Sequence, residues 1–429
     1  MGVAASLGAC SLGQDGGDNN AQMLGGQTGD EFDQIVQRIQ GTEPRLAADG
    51  ASAALAADEL AEFGWTFYAQ AGNADANFVY SPYSLATAAA MLYAGAAGTT
   101  QSEMSDVFAF SEEGDAFHQA RNDLLQILAS RNVEATESRN AQHLKISNDF
   151  WMAQRLQPTD HFLNVLSAYY GAPVFLFEGS SEDVRMAINA KVSDDTVGLI
   201  PELLPPLSIM DDTIFVLTNA LYFKANWSWQ FDKELTAPAD FETAAGAVAS
   251  VDMMHIQGGE GFRYAELDGT QVLAMPYFGS ELEFVALVPP TGTFATFRDG
   301  LNAQSVQTLL SDLPSAALNL AFPKMDVAYT LPLKNELIAA GMTSAFKGGV
   351  ADFSQLATNQ LWIGEAFHQA KIILDEEGTE AAAATAFVGV DESVGPTPID
   401  VTIDRAFVFF IRDVQTGALL FLGHYLGPS

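Results

Sequence analysis

Asp375-Glu-Glu-Gly-Thr-Glu-Ala-Ala-Ala-Ala-Thr-Ala-Phe387 is the stretch on which the fold turns. By local physics alone it is a helix. Thr379 would cap it, Glu380 would sit at the positive end of the helix dipole, and Ala381, Ala382, Ala383 and Ala384 carry the best helix propensity available. Alanine runs seldom choose strand. The decision therefore passes to what surrounds the stretch.

Toward the C-terminus, Phe407-Val-Phe-Phe-Ile411 and Leu419-Leu-Phe-Leu422 flank Gln415-Thr-Gly417, the pattern of a β-hairpin. Toward the N-terminus, the apolar run from Leu282 to Val288 predicts a buried strand. Earlier still, Asn77-Phe-Val-Tyr80 leads into Ser81-Pro82, where Ser can cap a helix and Pro can occupy its first position, so a helix is expected from Pro82 to Tyr93. Leu60, Phe63 and Phe67 fall on one face of a preceding helix that fades near Asn73. Helices and strands mix irregularly along the chain with no internal repeat, which predicts one α+β domain.

That domain is expected to span 46–429. Residues 11–45 look like a flexible tether, because Ser11 to Asp30 is rich in Gly, Asp, Asn and Gln and poor in large apolar residues. Residues 1–10 resemble the remnant of a signal segment. Leu7-Gly8-Ala9-Cys10 is similar to the lipobox of bacterial lipoproteins, in which the cysteine is lipidated, although Met1 to Ala9 lacks the basic start and the full apolar stretch. The alternative for Cys10 is a free thiol in a loose terminus. It is the single cysteine of the chain, so no internal disulfide can form and stability must come from packing.

Composition narrows the function classes. The 429 residues are 48% hydrophobic and 10% aromatic, enough for a large core. Against 54 Asp and Glu stand 19 Lys and Arg, a formal charge of -35. Only Arg121, Arg131 and Arg139 are even loosely grouped, so neither nucleic acid nor a heparin-like polyanion is an expected partner.

Catalytic motifs are missing. There is no G-x-S-x-G elbow, no H-E-x-x-H helix, no phosphate loop and no dinucleotide fingerprint. The six histidines, His118, His143, His161, His255, His368 and His424, are scattered without metal-ligand spacing. No enzyme activity, cofactor or metal is expected.

The motifs, taken in order, resemble one family. Glu376-Glu-Gly-Thr-Glu-Ala-Ala-Ala-Ala-Thr385 is similar to the hinge of the reactive-centre loop of inhibitory serpins. Asn77 to Leu85 and Ala90 to Thr99 look like that family's second-helix region, and Thr218-Asn-Ala-Leu-Tyr-Phe-Lys-Ala-Asn-Trp227 with Phe231 resembles its most specific internal motif. Phe322-Pro-Lys324, Gly341-Met342, Ala345-Phe346, Ala351-Asp-Phe-Ser354, Phe407 to Ile411 and Leu420-Phe-Leu-Gly423 continue the match.

The resemblance implies a mixed domain with a five-stranded central sheet A, further sheets B and C, and a loop near 376–398 exposed as bait. A serine or cysteine endopeptidase would be the partner and the chain itself a monomer, secreted or held at a bacterial cell surface or in the periplasm by a lipid anchor. Cleavage of the loop would form an acyl-enzyme, and the loop would then enter the sheet as a strand, an event already known for this family.

A strand entering a sheet puts alternate side chains into the interior. Thr379, Ala381, Ala383 and Thr385 form that inward set; all are small and uncharged, and no proline interrupts Gly378 to Val390. Glu380 falls on the other row, with Ala382 and Ala384.

The family's hinge-to-bond spacing implies a scissile bond at Glu392-Ser393, the substrate of a glutamyl-specific endopeptidase. The alternative is a cut after Phe387 or Val390 by a subtilisin- or elastase-like enzyme. No Lys or Arg lies between Ile372 and Asp404, which disfavours a trypsin-like target.

Two control points are also implied. Ser81, Ser84, Asn219 and His368 match the shutter of the sheet. Trp227, Lys324 and Glu376 match the breach, with an ion pair expected between the last two. A noninhibitory serpin acting as a binding or chaperone-like module is the alternative function.

Overall fold

A computed structural model describes residues 32, 35–72, 75–133, 142–211, 213–364, 366–379 and 397–428, with the backbone alone at 146–148 and 219–220. Strands follow the apolar runs. They are β1 (Val36–Ile39), β2 (Phe78–Tyr80), β3 (His143–Ala153), β4 (Val174–Phe177), β5 (Phe215–Asn226), β6 (Asp232–Glu242), β7 (Val248–Leu267) and β8 (Thr270–Pro276). After them come β9 (Leu282–Val288), β10 (Ser315–Pro323), β11 (Met325–Pro332), β12 (Phe367–Leu374), β13 (Gly378–Thr379), β14 (Ile399–Thr402), β15 (Phe407–Asp413) and β16 (Leu419–Tyr425). Before β5 the helices are α1 (Ala53–Ala71), α2 (Pro82–Tyr93), α3 (Gly98–Phe108), α4 (Gly114–Ala129), α5 (Asp160–Val165) and α6 (Ser181–Asp195).

The central sheet runs β1-β4-β3-β5-β13-β12-β11. Five of these strands are the expected sheet A; β1 and β13 raise the count to seven. β13 is the start of the stretch expected as a hinge, lying antiparallel to both neighbours, with Gly378 opposite Asn226 and Thr379 opposite Ala225 and Leu374. The second sheet runs β14-β10-β7-β8-β9-β15-β16-β2, with β6 on β7, so the material of sheets B and C is continuous along one hydrogen-bonded path. The fold is mixed α+β, with the sheets that the resemblance implies.

The chain is ordered earlier than its composition suggests. β1 pairs antiparallel with β4 and buries Val36, inside the stretch 11–45 expected as tether. Four residues, Val-Gln-Arg-Ile, suffice because an edge strand needs only one apolar face and one partner.

α2 explains how the sheet is backed. The Ser81 hydroxyl accepts from Ser84 N at 3.1 Å, Pro82 occupies the first turn, and nearly every residue to Tyr93 is buried. A helix apolar all round belongs in the interior. α1 packs beside it through Leu60, Phe63 and Phe67. Along β12, burial alternates, with His368, Ala370, Ile372 and Leu374 inward.

Candidate functional site

The hinge begins with a tight turn that its own carboxylate builds. Asp375 Oδ1 accepts from Glu377 N at 2.9 Å and Gly378 N at 3.2 Å, while Asp375 N donates to Gly378 O at 2.9 Å. This reverses the chain after β12 and delivers β13 between β12 and β5. Gly378 is required there: a Cβ would stand 2.0 Å from Ala225 O, far inside contact distance.

The segment just after β5 takes up the carbonyls of Asp375, Glu376 and Glu377. Trp227 N donates to Glu377 O at 2.8 Å, Phe231 N to Glu376 O at 2.9 Å, and Trp227 Nε1 to Asp375 O at 3.0 Å. Unpaired buried backbone is costly, so these bonds hold the turn at the head of the sheet.

Two carboxylates of the turn then take separate cationic partners. Glu376 is 7% exposed and meets Lys324 Nζ at 2.8 Å, with Thr236 Oγ1 donating to it at 2.8 Å. Burial pushes the Glu376 carboxyl up, but hydrogen bonds from Lys324, its own backbone and Thr236 outweigh this and hold it below the usual carboxylate range. Glu377 pairs with Lys233. Both lysines remain partly exposed to water.

Thr379 is the first inward residue. It is buried, and its Oγ1 lies 2.6 Å from Tyr277 OH. Tyr277 in turn stacks on Trp227 with ring centroids 4.6 Å apart and planes at 11°. The head of the sheet is thus a polar turn seated on an aromatic floor.

Lower in the sheet, His368 is completely buried, and Ser81 N donates to its Nε2 at 2.9 Å. Burial lowers the imidazole pKa to about 3, so the ring is neutral and its proton resides on Nδ1. Tyr80 packs edge-on against the same ring. The bond ties α2 to β12, a contact that must be exchanged if the strands beside β12 part.

The structure therefore brings together Trp227, Lys324 and Glu376 at one end, with Glu377, Gly378 and Thr379, and Ser81, Ser84 and His368 at the other. Asn219 lies on β5 opposite Asn148, and its side chain is outside the described atoms. Glu380, Ala381, Ala382, Ala383, Ala384, Thr385, Glu392, Ser393 and Cys10 lie outside the described residues. Sequence motifs do not name Tyr277, Lys233, Thr236 or Asp375. For Asp375 a signal exists, since a short carboxylate two and three residues before backbone N–H groups is a turn builder; the others reach the hinge across more than a hundred residues.

Residues 58–428 match the family model described as serpin (serine protease inhibitor). A serpin-like protein of Thermococcus kodakarensis is 33% identical over 372 residues, covering 86% of this chain and 84% of its own. Among solved structures, the thermophilic serpin tengpin in its native state superposes with a TM-score of 0.77 at 25% identity, covering 92% of this chain and 98% of its own. Human thyroxine-binding globulin superposes with a TM-score of 0.76 at 26% identity, covering 88% and 100%.

Proposed function

The chain belongs to the serpin family, and from that premise we propose that it inhibits a serine-type endopeptidase by offering its own loop as substrate. The peptidase serine adds to the carbonyl carbon of the residue before the scissile bond, the amine of the next residue leaves, and an ester joins the two proteins. The new end of the loop then enters the central sheet and carries the peptidase with it. Many serpins inhibit serine proteases, and the family supplies no catalytic nucleophile of its own.

The observation that carries this reading is the seat of Gly378 and Thr379, already paired between β12 and β5. Continued at that register, each further residue moves one place back on both neighbours. Ala381 would arrive between Ile372 and Phe223, Ala383 between Ala370 and Leu221, and Thr385 between His368 and Asn219. The small inward set therefore meets the inward row of β12. Its last member reaches the shutter, where a threonine hydroxyl can offer a hydrogen bond to groups being released.

The loop chooses its target through Glu392-Ser393, which fits a glutamyl-specific endopeptidase, or through Phe387 or Val390, which fit a subtilisin- or elastase-like enzyme. The lipobox-like Leu7 to Cys10 supports a bacterial lipoprotein, exported and held outside the cytoplasm.

The test is to mix the purified chain with a glutamyl endopeptidase, with subtilisin and with trypsin. A complex with one of the first two that survives denaturing electrophoresis supports the proposal, and mass spectrometry of its released C-terminal fragment locates the bond. Clean cleavage without a complex points instead to a noninhibitory binding module, as the likeness to a thyroxine-binding protein would allow.

A further inference from the structure

The chain has few cations for its size, yet several converge on one cavity of about 840 Å³ on the flank of the central sheet. Register explains the convergence. On the antiparallel pair β3–β5, His143 stands opposite Lys224 and Lys145 opposite Tyr222, so all four side chains share one face. The intervening Leu144 and Phe223 point the other way into the core.

Arg45 adds a third cation from the N-terminal segment. Its Nη1 lies 2.7 Å from where a Cβ on Gly171 would stand, and Gly171, at φ +62°, has none. The close approach of Arg45 thus depends on a glycine at the turn after the π-helical residues Leu166–Tyr170.

The cations differ in how they are satisfied. Lys145 lies 3.5 Å from Asp195, whereas neither Arg45 nor Lys224 has a carboxylate partner among the described residues. In a protein of charge -35, cations facing one cavity with no carboxylate partner among the described residues stand out. The rest of the wall is mixed: Leu125 and Ala129 on α4 and Val197 supply apolar surface, and Gln126 and Asn132 add polar groups beside them. Val197 is 65% exposed and holds φ +53°, a backbone state that β-branched residues avoid and that collects at ligand sites.

We propose that this cavity binds a small amphipathic anion, its sulfonate, carboxylate or phosphate head on Arg45 and Lys224 and its apolar body against Leu125, Ala129 and Val197. A concave apolar wall with a few convergent charged groups is the usual form of a small-ligand site. Long polyanions are repelled by the protein's net charge of -35, whereas a compact anion needs only the local field.

The probe is 8-anilinonaphthalene-1-sulfonate, followed by fluorescence on the full chain, with displacement by phenyl phosphate and by phenol. Saturable binding that weakens with salt is expected. Arg45→Gln or Lys224→Gln should each cost about tenfold in affinity, the scale of one charged contact. Lys371→Gln, which removes a lysine lying by Asp326 on the β11–β12 pair, away from the cavity lining, should change nothing. Phenyl phosphate should displace the probe and phenol should not. Lys224→Met, which keeps the aliphatic stem, replaces the glutamine variant if that fails to fold. Equal affinity in the wild type and both cavity variants, or equal displacement by phenol, overturns the proposal.

Discussion

The two ends of the central sheet are locked by opposite chemistry. At the head, the turn Asp375 to Gly378 is held by charge: two buried carboxylates, Glu376 and Glu377, each lean on a lysine that remains partly in water. At the shutter, a neutral contact, Ser81 N to His368 Nε2, sits where no water reaches. The head should therefore respond to salt and to charge, and the shutter to burial and protonation. An insertable sheet benefits from the difference, since a screened lock yields locally while a dry one resists until the strands part.

The largest effect is expected at the first inward position. Thr379→Arg would bring a charge against the buried Tyr277 ring, at a cost of several kcal/mol. The variant should be cleaved as readily as the wild type yet leave no complex stable to denaturing electrophoresis. Full trapping by it would show that the position does not need to be buried.

Next is the dry lock. His368→Ala leaves Ser81 N without its acceptor and opens a cavity behind α2, together about 3 kcal/mol. Chemical unfolding should begin at lower denaturant, with faster spontaneous loss of inhibitory activity. A stability equal to the wild type would mean that the contact does not hold the sheet.

Acid probes the same group. The folded pKa of His368 is about 3 against about 6.5 unfolded, so between these values the unfolded chain binds the extra proton. Its contribution is present in full above pH 6.5 and is lost as pH falls toward 3, amounting to about 2 kcal/mol at pH 5. His118, also lowered to about 3, acts in the same direction. A stability profile flat from pH 7 to pH 4.5 would contradict the neutral, buried shutter. Glu376, whose carboxyl is held low, adds a loss only at more acid pH, below the ordinary carboxylate range.

Smaller effects belong to the head. Tyr277→Phe removes one buried hydrogen bond to Thr379 while keeping the stack on Trp227, a loss of about 1 kcal/mol. Lys324→Ala should cost less than about 1 kcal/mol, because that lysine is 38% exposed, and the loss should vanish at high salt. If Lys324→Ala proved salt-independent, the head would be no more screened than the shutter.

Legibility in the sequence follows the range of the forces. Helix α2 and the hairpin β15–β16 are plain because Ser81-Pro82 and Gln415-Thr-Gly417 are local signals bounding long apolar runs. The hinge is not. Glu380 to Thr385 has the local physics of a helix, and only ordered motifs hundreds of residues apart argue for a strand.

At the site, motifs name Trp227, Lys324 and Glu376, yet Tyr277 and Lys233 meet the hinge only through tertiary folding. β1 is illegible in the sequence for a related reason: Val36–Ile39 has no pattern long enough to separate it from the polar segment before it, and its partner β4 lies far along the chain.

The most direct test of loop insertion is the melting temperature before and after a peptidase nicks the loop between residues 380 and 396. Insertion adds a strand to the centre of the sheet and releases a native state held kinetically, so the nicked chain should melt at a distinctly higher temperature. A nicked chain that melts with the intact one, its shutter mutations and salt response unchanged, would contradict the account at its centre.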